Sequence, residues 1–166
     1  GEWKPDYGPN IFNNSIVKSG ATAISARDFL VAYNINLNTT STRKANAVAF
    51  DIREAGRIKR EGNTLSGKII NDENGHPLRT PGLFKAVKGI GWYIEEYGIA
   101  QISYNLTNIK ISTLHEVFDK TCQKSIERGM RVTGSELIGL VPKKVLIDAG
   151  KYFLKKQKRS SGISEY

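Results

Sequence analysis

The 166-residue sequence is poor in the residues that carry the commonest site chemistries: one cysteine, two histidines and one methionine. Cys122 alone cannot close an internal disulfide. That excludes a disulfide-stapled scaffold and fits a reducing cytoplasm. One cysteine and two separated histidines make no recognisable zinc pattern, so no metal is expected. No glycine-rich stretch matches a Walker or dinucleotide fingerprint. Gly134-Ser135-Glu136-Leu137-Ile138-Gly139 places a serine between glycines, but not at the spacing of a nucleophile elbow, and neither histidine is near it. The longest apolar runs are a few residues, too short for a membrane-spanning helix. Gly1-Glu2-Trp3-Lys4-Pro5-Asp6 lacks the charged-then-apolar layout of a secretory leader. The missing initiator Met fits a piece of something longer. No acid–base or nucleophile pair stands out.

What is present is a folded-protein composition, 39% apolar and 9% aromatic, with a net charge of +9. A chain this long buries ~68–70% of its unfolded surface in one domain. The charge favours anionic partners: nucleic acid, lipid headgroups or small polyanions. Part of it comes from Lys151, Lys155, Lys156, Lys158 and Arg159, read as a solvated helix end where cations favour the dipole.

Residues 1–27 read as an irregular arm, punctuated by Pro5, Gly8 and Pro9, with Asn10, Asn13 and Asn14 favouring turns. Over 28–37 the large apolar residues Phe29, Val31, Tyr33, Ile35 and Leu37 alternate with Asn34 and Asn36. Over 99–106, Ala100, Ile102, Tyr104 and Leu106 alternate with Gln101, Ser103 and Asn105. Strand side chains alternate faces, so each strand has a core face and a face of neutral hydrogen-bonding groups. Amides suit a planar polar ligand better than a merely solvated surface. Between these strands, Ala45, Val48, Ala49 and Ile52 recur at helical spacing behind a Thr40 or Ser41 cap, and Gly56 is a C-terminal stop. A polar loop over 57–82 contains the tight-turn pair Asn74-Gly75, with a small hairpin expected from Lys68–Ile70 and Leu78. A strand is expected over 84–94. Thr113-Leu114-His115-Glu116 is a capping box ahead of the stripe Leu114, Val117, Phe118 and Cys122, with Cys122 a buried thiol. A last strand starts near Arg131. Pro142 opens a final helix to 158 with Leu146, Ala149, Gly150 and Phe153 inward.

The order β-α-β-β-α-β predicts an α+β, ferredoxin-like sandwich: a four-stranded antiparallel sheet in order 4-1-3-2 with helices on one face. The core then spans 28–141 of a single domain, between the arm and a C-terminal helix with its basic tail. The two amide-bearing strands become central neighbours. Asn34, Asn36, Gln101, Ser103 and Asn105 share the uncovered face, which is the expected binding surface. Lys88-Gly89-Ile90-Gly91-Trp92-Tyr93 has the outline of an RNA-recognition signature. Ile90 replaces an aromatic and the segment lies on the second strand instead of the third, so nucleic acid is not favoured. The readings left are an edge strand whose glycines permit close approach and a ligand role for Trp92 or Lys88. Glu136 interrupts an apolar strand and is either edge-facing or a site residue. His76 is expected to be exposed and His115 to sit at a boundary.

Several stretches in register resemble the C-terminal half of glutamate formiminotransferase, a family that in animals is fused to a cyclodeaminase. They are Trp3-Lys4-Pro5-Asp6-Tyr7-Gly8-Pro9, Gly20-Ala21-Thr22, Ala26-Arg27-Asp28 continuing through Leu37, Ile52-Arg53-Glu54-Ala55-Gly56-Arg57, Gly89-Ile90-Gly91-Trp92-Tyr93, Ala100 through Leu106, and Gly134 through Pro142. Only the loop near 58–81 and the tail depart. The resemblance implies two related ferredoxin-like subdomains per protomer, folate in a basic tunnel between them, and dimers. The reaction it implies moves a formimino group from N-formimino-L-glutamate to N5 of tetrahydrofolate. The family's catalytic histidine lies in the N-terminal subdomain; His76 and His115 fall outside the matched motifs. The chain alone is therefore expected to be inactive and to supply the floor of the folate site through Asn34, Asn36, Gln101, Ser103, Asn105, Lys88 and Trp92. The implied partners are the N-terminal subdomain and folate, which can carry a polyglutamate tail. The alternatives are a glutamate formyltransferase on the same fold, using an N-formyl donor, and a basic RNA-binding module.

Overall fold

The computed structural model describes residues 4–9, 11, 13–63 and 67–158. Trp3 and Asn10 of the arm and Arg159 of the tail lie outside the described residues. The elements are α1 (Asn14–Ser19), β1 (Val31–Leu37), α2 (Thr42–Ile52), β2 (Arg57–Ile58), β3 (Arg79–Thr80), β4 (Val87–Ile94), β5 (Ile99–Leu106), α3 (Leu114–Glu127), β6 (Val132–Ile138) and α4 (Lys143–Lys156). The main sheet runs β4-β5-β1-β6 with all neighbours antiparallel. Read from β6, this is the 4-1-3-2 order of the ferredoxin-like sandwich.

Alternation on the two central strands decides which face is covered. Val31, Tyr33, Ile35 and Leu37 of β1 and Ala100, Ile102, Tyr104 and Leu106 of β5 are all buried. They meet the apolar stripe of α2, where Ala45, Val48, Ala49 and Ile52 are each 0% exposed. Each fully buried aliphatic side chain contributes roughly 1.5–3 kcal/mol, so this layer holds the fold together. Ser41 Oγ accepts from the Lys44 N–H at 3.3 Å and caps α2.

The glycines of β4 set how closely α2 approaches. A Cβ on Gly91 would lie 2.5 Å from the Asn46 backbone nitrogen, and one on Gly89 would lie 2.7 Å from the Tyr104 ring. The Asn46 amide fills the gap at this outer edge. Its Nδ2 donates to the Gly91 carbonyl at 2.9 Å and its Oδ1 accepts from the Gly91 N–H at 3.0 Å. Arg53 Nη1 donates to the Gly89 carbonyl at 3.1 Å. Two side chains thus occupy polar groups that an edge strand otherwise leaves open to another strand.

Several local expectations are corrected. The arm contains α1, because Asn13 Oδ1 accepts from the N–H groups of Ser15 and Ile16. β1 starts at Val31, and Phe29 is 77% exposed. β4 starts at Val87 because Ala86 turns the chain at φ 55°. Its N–H donates to Glu54 Oε2 and its carbonyl accepts from Thr107. The capping box at Thr113 forms between side chains: Thr113 Oγ1 donates to Glu116 Oε2 at 2.6 Å and does not cap a backbone N–H. Cys122 is only half-buried. The inward places on α3 go to Thr121 and Ser125, and the Thr121 hydroxyl lies 3.2 Å from that of Tyr104. A buried tyrosine hydroxyl needs a polar partner, and the stripe turns to supply one. On α4 the inward stripe is displaced from the expected one: Val145 is buried, while Leu146 and Gly150 face out. Phe153 packs edge-on against Phe118 at 5.8 Å.

The 57–82 segment is more ordered than a loop with one hairpin. β2 pairs with β3, and the bridges Arg60 to Ile69 and Asn71 to Pro77 extend the pairing toward Gly75, whose φ is 80°.

Candidate functional site

Strand register builds the uncovered face as three cross-strand rows. Trp92 lies beside Gln101, which lies beside Asn36. Ile90, Ser103, Asn34 and Glu136 form the second row. Lys88, Asn105, Ala32 and Ile138 form the third. The expected face therefore exists, and all seven expected site residues point to it. Glu136 joins them instead of facing an edge.

Their environments differ sharply. Gln101 is fully buried, not under a helix but among its neighbours on this face. Its Oε1 accepts from the Trp92 indole N–H at 3.1 Å. Its Nε2 donates to Asn36 Oδ1 at 2.6 Å and to Glu136 Oε2 at 3.2 Å. Both amide protons are committed, and Gln101 holds three side chains in place. Asn34 is the opposite case. It is nine-tenths buried, yet its amide has no hydrogen-bond partner among the described residues, and it lines an open cavity.

That cavity, about 550 Å³, is lined by Asn34, Trp92, Glu96, Tyr97, Gln101 and Glu136, together with Tyr93 and Ile94. Trp92 and Tyr97 are 48% and 59% exposed and offer aromatic surface. The lining holds two carboxylates and no cation, although the chain as a whole carries +9. A second cavity of about 540 Å³ opens at the other end of β4 and β5, lined by Arg53, Glu54, Lys88, Ile90, Ser103, Asn105 and Thr107 among others. Arg53 is committed there: Nε donates to the Gly56 carbonyl at 3.1 Å and the guanidinium lies 4.0 Å over the Phe50 ring. Lys88 is exposed and has no carboxylate partner among the described residues. Gln101 and Asn105, which mark the two ends, are four residues apart on β5, or about 14 Å at ~3.4 Å per residue. The face is thus polar lengthwise, with an acidic aromatic end and an end of mixed charge where Lys88 is the cation that has no carboxylate partner among the described residues.

Sequence reasoning passed over Glu96 and Tyr97, because the β4–β5 turn reads only as punctuation around Gly98. It also missed Asn46, since nothing in a helical pattern says that a surface amide will seal a strand edge. Neither histidine is on this face. His76 is exposed near Asp72, and His115 stacks on Tyr152 with ring centres 4.6 Å apart. Among the described residues no helix is long and apolar enough to cross a membrane.

Comparison with known proteins adds an independent line. Residues 32–166 match the Formiminotransferase domain. The chain is 40% identical over 156 residues to a formimidoyltransferase-cyclodeaminase of Sus scrofa, covering 94% of this chain and 25% of that protein. A relative of the same name from Gallus gallus is 41% identical over 157 residues, again across 25% of its length. A glutamate formimidoyltransferase of Thermoplasma acidophilum is 33% identical over 153 residues, 92% of this chain and 41% of that protein. The chain thus spans a quarter to two-fifths of the length of these relatives.

Proposed function

Because the chain belongs to the formiminotransferase domain family, we propose that it is the folate-binding C-terminal subdomain of a glutamate formiminotransferase. In this reading it helps transfer the formimino group of N-formimino-L-glutamate to N5 of tetrahydrofolate. The observation that carries the reading is the lengthwise polarity of the uncovered face. Tetrahydrofolate has the matching polarity: a planar heterocycle rich in N–H donors at one end and an anionic glutamate tail at the other.

The chain's part in the reaction is positional. Trp92 and Tyr97 offer aromatic surface to the ring. Asn34 and Asn36 offer amides to its edge. Lys88 and Asn105 meet the tail. N5 attacks the formimino carbon, the carbon–nitrogen bond to glutamate breaks, and glutamate leaves with its amino group restored. The N5 proton needs a base near neutral pKa, and the uncovered face of this chain offers no histidine. That group belongs to the other subdomain, which closes over the face. Holding the two reactants in contact supplies roughly 7–11 kcal/mol of the barrier reduction. The donor, formimino or formyl, is selected by the other subdomain.

The test is complementation. The chain alone should show no transfer to tetrahydrofolate. Mixed with the N-terminal half of a glutamate formimidoyltransferase it should restore transfer, and Lys88→Ala should raise the KM for tetrahydrofolate polyglutamates with little change in kcat. Failure of the mixture to transfer, with no folate bound by the joined protein, would reject the reading.

A further inference from the structure

The helical side of the sandwich holds a cavity that the transferase reading leaves unused. It lies where the starts of α3 and α4 meet and has a volume of about 390 Å³. We propose that it binds a small aliphatic monocarboxylate, with the carboxylate on Lys110 and the carbon chain on the floor between the two helices. The site is separate from the uncovered face and does not depend on the folate reading.

The floor is aliphatic: Ile109, Leu114, Pro142 and Val145. Leu114 and Val145 are buried and belong to the main apolar core. A concave apolar space with a few placed polar groups is the usual form of a small-molecule site. The one ring in the wall, His115, already stacks on Tyr152 with centres 4.6 Å apart. A carbon chain therefore suits the space better than a second ring.

The polar groups of the lining leave a single charge uncompensated. Lys144 Nζ donates to both Asp148 oxygens, at 3.0 and 2.7 Å, so that pair cancels. Thr113 Oγ1 gives its proton to Glu116 Oε2 and accepts from His115 Nε2 at 3.2 Å. The other ring nitrogen, Nδ1, is buried without a partner. Neither side chain has a donor to spare. Lys110 remains, exposed and with no carboxylate partner among the described residues. Its place on the loop is fixed, since Asn108 Oδ1 accepts its main-chain N–H at 3.0 Å. One cation at the rim calls for one anionic group. A dicarboxylate would have to set its second charge against the aliphatic floor, where an unpaired charge is costly.

The probes are octanoate, octanol, octylammonium and octanedioate, titrated at neutral pH into the 166-residue chain and followed by two-dimensional ¹H–¹⁵N spectra. Octanoate should shift main-chain N–H signals within 109–115 and 143–148 and leave the Trp92 indole signal in place. It should bind about fivefold more tightly than octanol, which has the same chain without the charge, and about tenfold more tightly than octanedioate. Lys110→Met keeps the stem and removes the charge; it should bring octanoate to the level of octanol without changing the thermal unfolding midpoint. Lys110→Glu should invert the order, taking octylammonium ahead of octanoate. No binding of octanoate, shifts on the uncovered face instead, equal binding of octanoate and octanol, or a preference for octanoate that survives both substitutions would overturn the proposal. The comparison of probes on the unaltered chain stands even if a variant does not fold.

Discussion

Replacing Gly91 by alanine tests the close seating of α2 on the sheet. The added Cβ would sit 2.5 Å from the Asn46 backbone nitrogen and 2.7 Å from atoms of Ala45. Carbon contacts are comfortable at about 3.5–4.0 Å, so α2 would have to retreat by about 1 Å. Backbone atoms cannot rotate away as a flexible side chain would. Overfilling of this kind costs about 1–3 kcal/mol. The two Asn46–Gly91 hydrogen bonds are stretched as well, at about 0.5–1.5 kcal/mol each. Alanine's advantage over glycine in a strand returns about 0.5–1 kcal/mol. The net expectation is a loss of about 3 kcal/mol. At about 2–4 °C per kcal/mol for a chain of this size, Tm falls by about 6–12 °C. Gly134→Ala is the control, since its Cβ would meet only Asn36 Nδ2 at 3.8 Å, an ordinary contact. It should be neutral or stabilise by up to about 1 kcal/mol. Urea unfolding followed by far-UV circular dichroism measures both. A Gly91→Ala protein within 1 kcal/mol of the unaltered chain, or a Gly134→Ala protein equally damaged, would show that the reasoning about α2 is wrong.

Other expectations follow from the same geometry. Ala86 holds φ 55° without being glycine, so Ala86→Gly should relieve strain and raise stability by about 1 kcal/mol; an unchanged or lower urea midpoint would contradict this. Asp119 accepts hydrogen bonds from Lys156 and, at 3.0 Å, from Tyr152, and the Lys156 bond holds its carboxyl below the ordinary value. A carboxyl depressed in the fold contributes stability above its unfolded value, about pH 4, and loses it as pH falls through the lower folded value. Asp119→Asn should therefore lower stability at neutral pH and flatten the acid limb, and urea midpoints that run parallel from pH 7 to below 3 would rule this out. Burial pushes the half-buried Cys122 thiol upward, which leaves less thiolate at pH 8. Iodoacetamide should modify the native chain at least tenfold more slowly than the urea-unfolded chain, and equal rates would show the thiol to be open.

The architecture was legible because two strands and one helix carry unmixed periodicity. Val31 through Leu37 and Ala100 through Leu106 alternate cleanly, and Ala45, Val48, Ala49 and Ile52 trace one stripe, so the sheet order followed from connection rules alone. The errors fall where polar chemistry overrides the apolar pattern. Thr121 took an inward place expected of Cys122 because its hydroxyl meets that of Tyr104. Asn13 made a helix out of an arm that looked irregular. The site was legible as a face and not as a mechanism. Alternation puts Asn34, Asn36, Gln101, Ser103 and Asn105 on one side, but periodicity cannot say that Gln101 spends its amide on Trp92, Asn36 and Glu136. It also gives no hint that the β4–β5 turn brings Glu96 and Tyr97 to the same cavity. Those facts depend on register, which pairs residues across strands that are distant in the chain.

The two feet of the 57–82 excursion touch. A Cβ on Gly56, at φ 56°, would lie 1.8 Å from the Thr80 carbonyl oxygen, and one on Gly82 would lie 2.1 Å from that of Arg53. The chain therefore leaves the sandwich and returns to it through a single doorway, sealed by main chain against main chain, with Asp51 clasping Arg57 and Arg128 beside it. Whatever is threaded beyond such a doorway is invisible to the sheet. Doubling its length costs only about 0.6 kcal/mol in closure entropy. The excursion is thus a natural socket: a reporter peptide or a foreign recognition segment can be spliced in at its tip while the folding core remains unaware of the passenger.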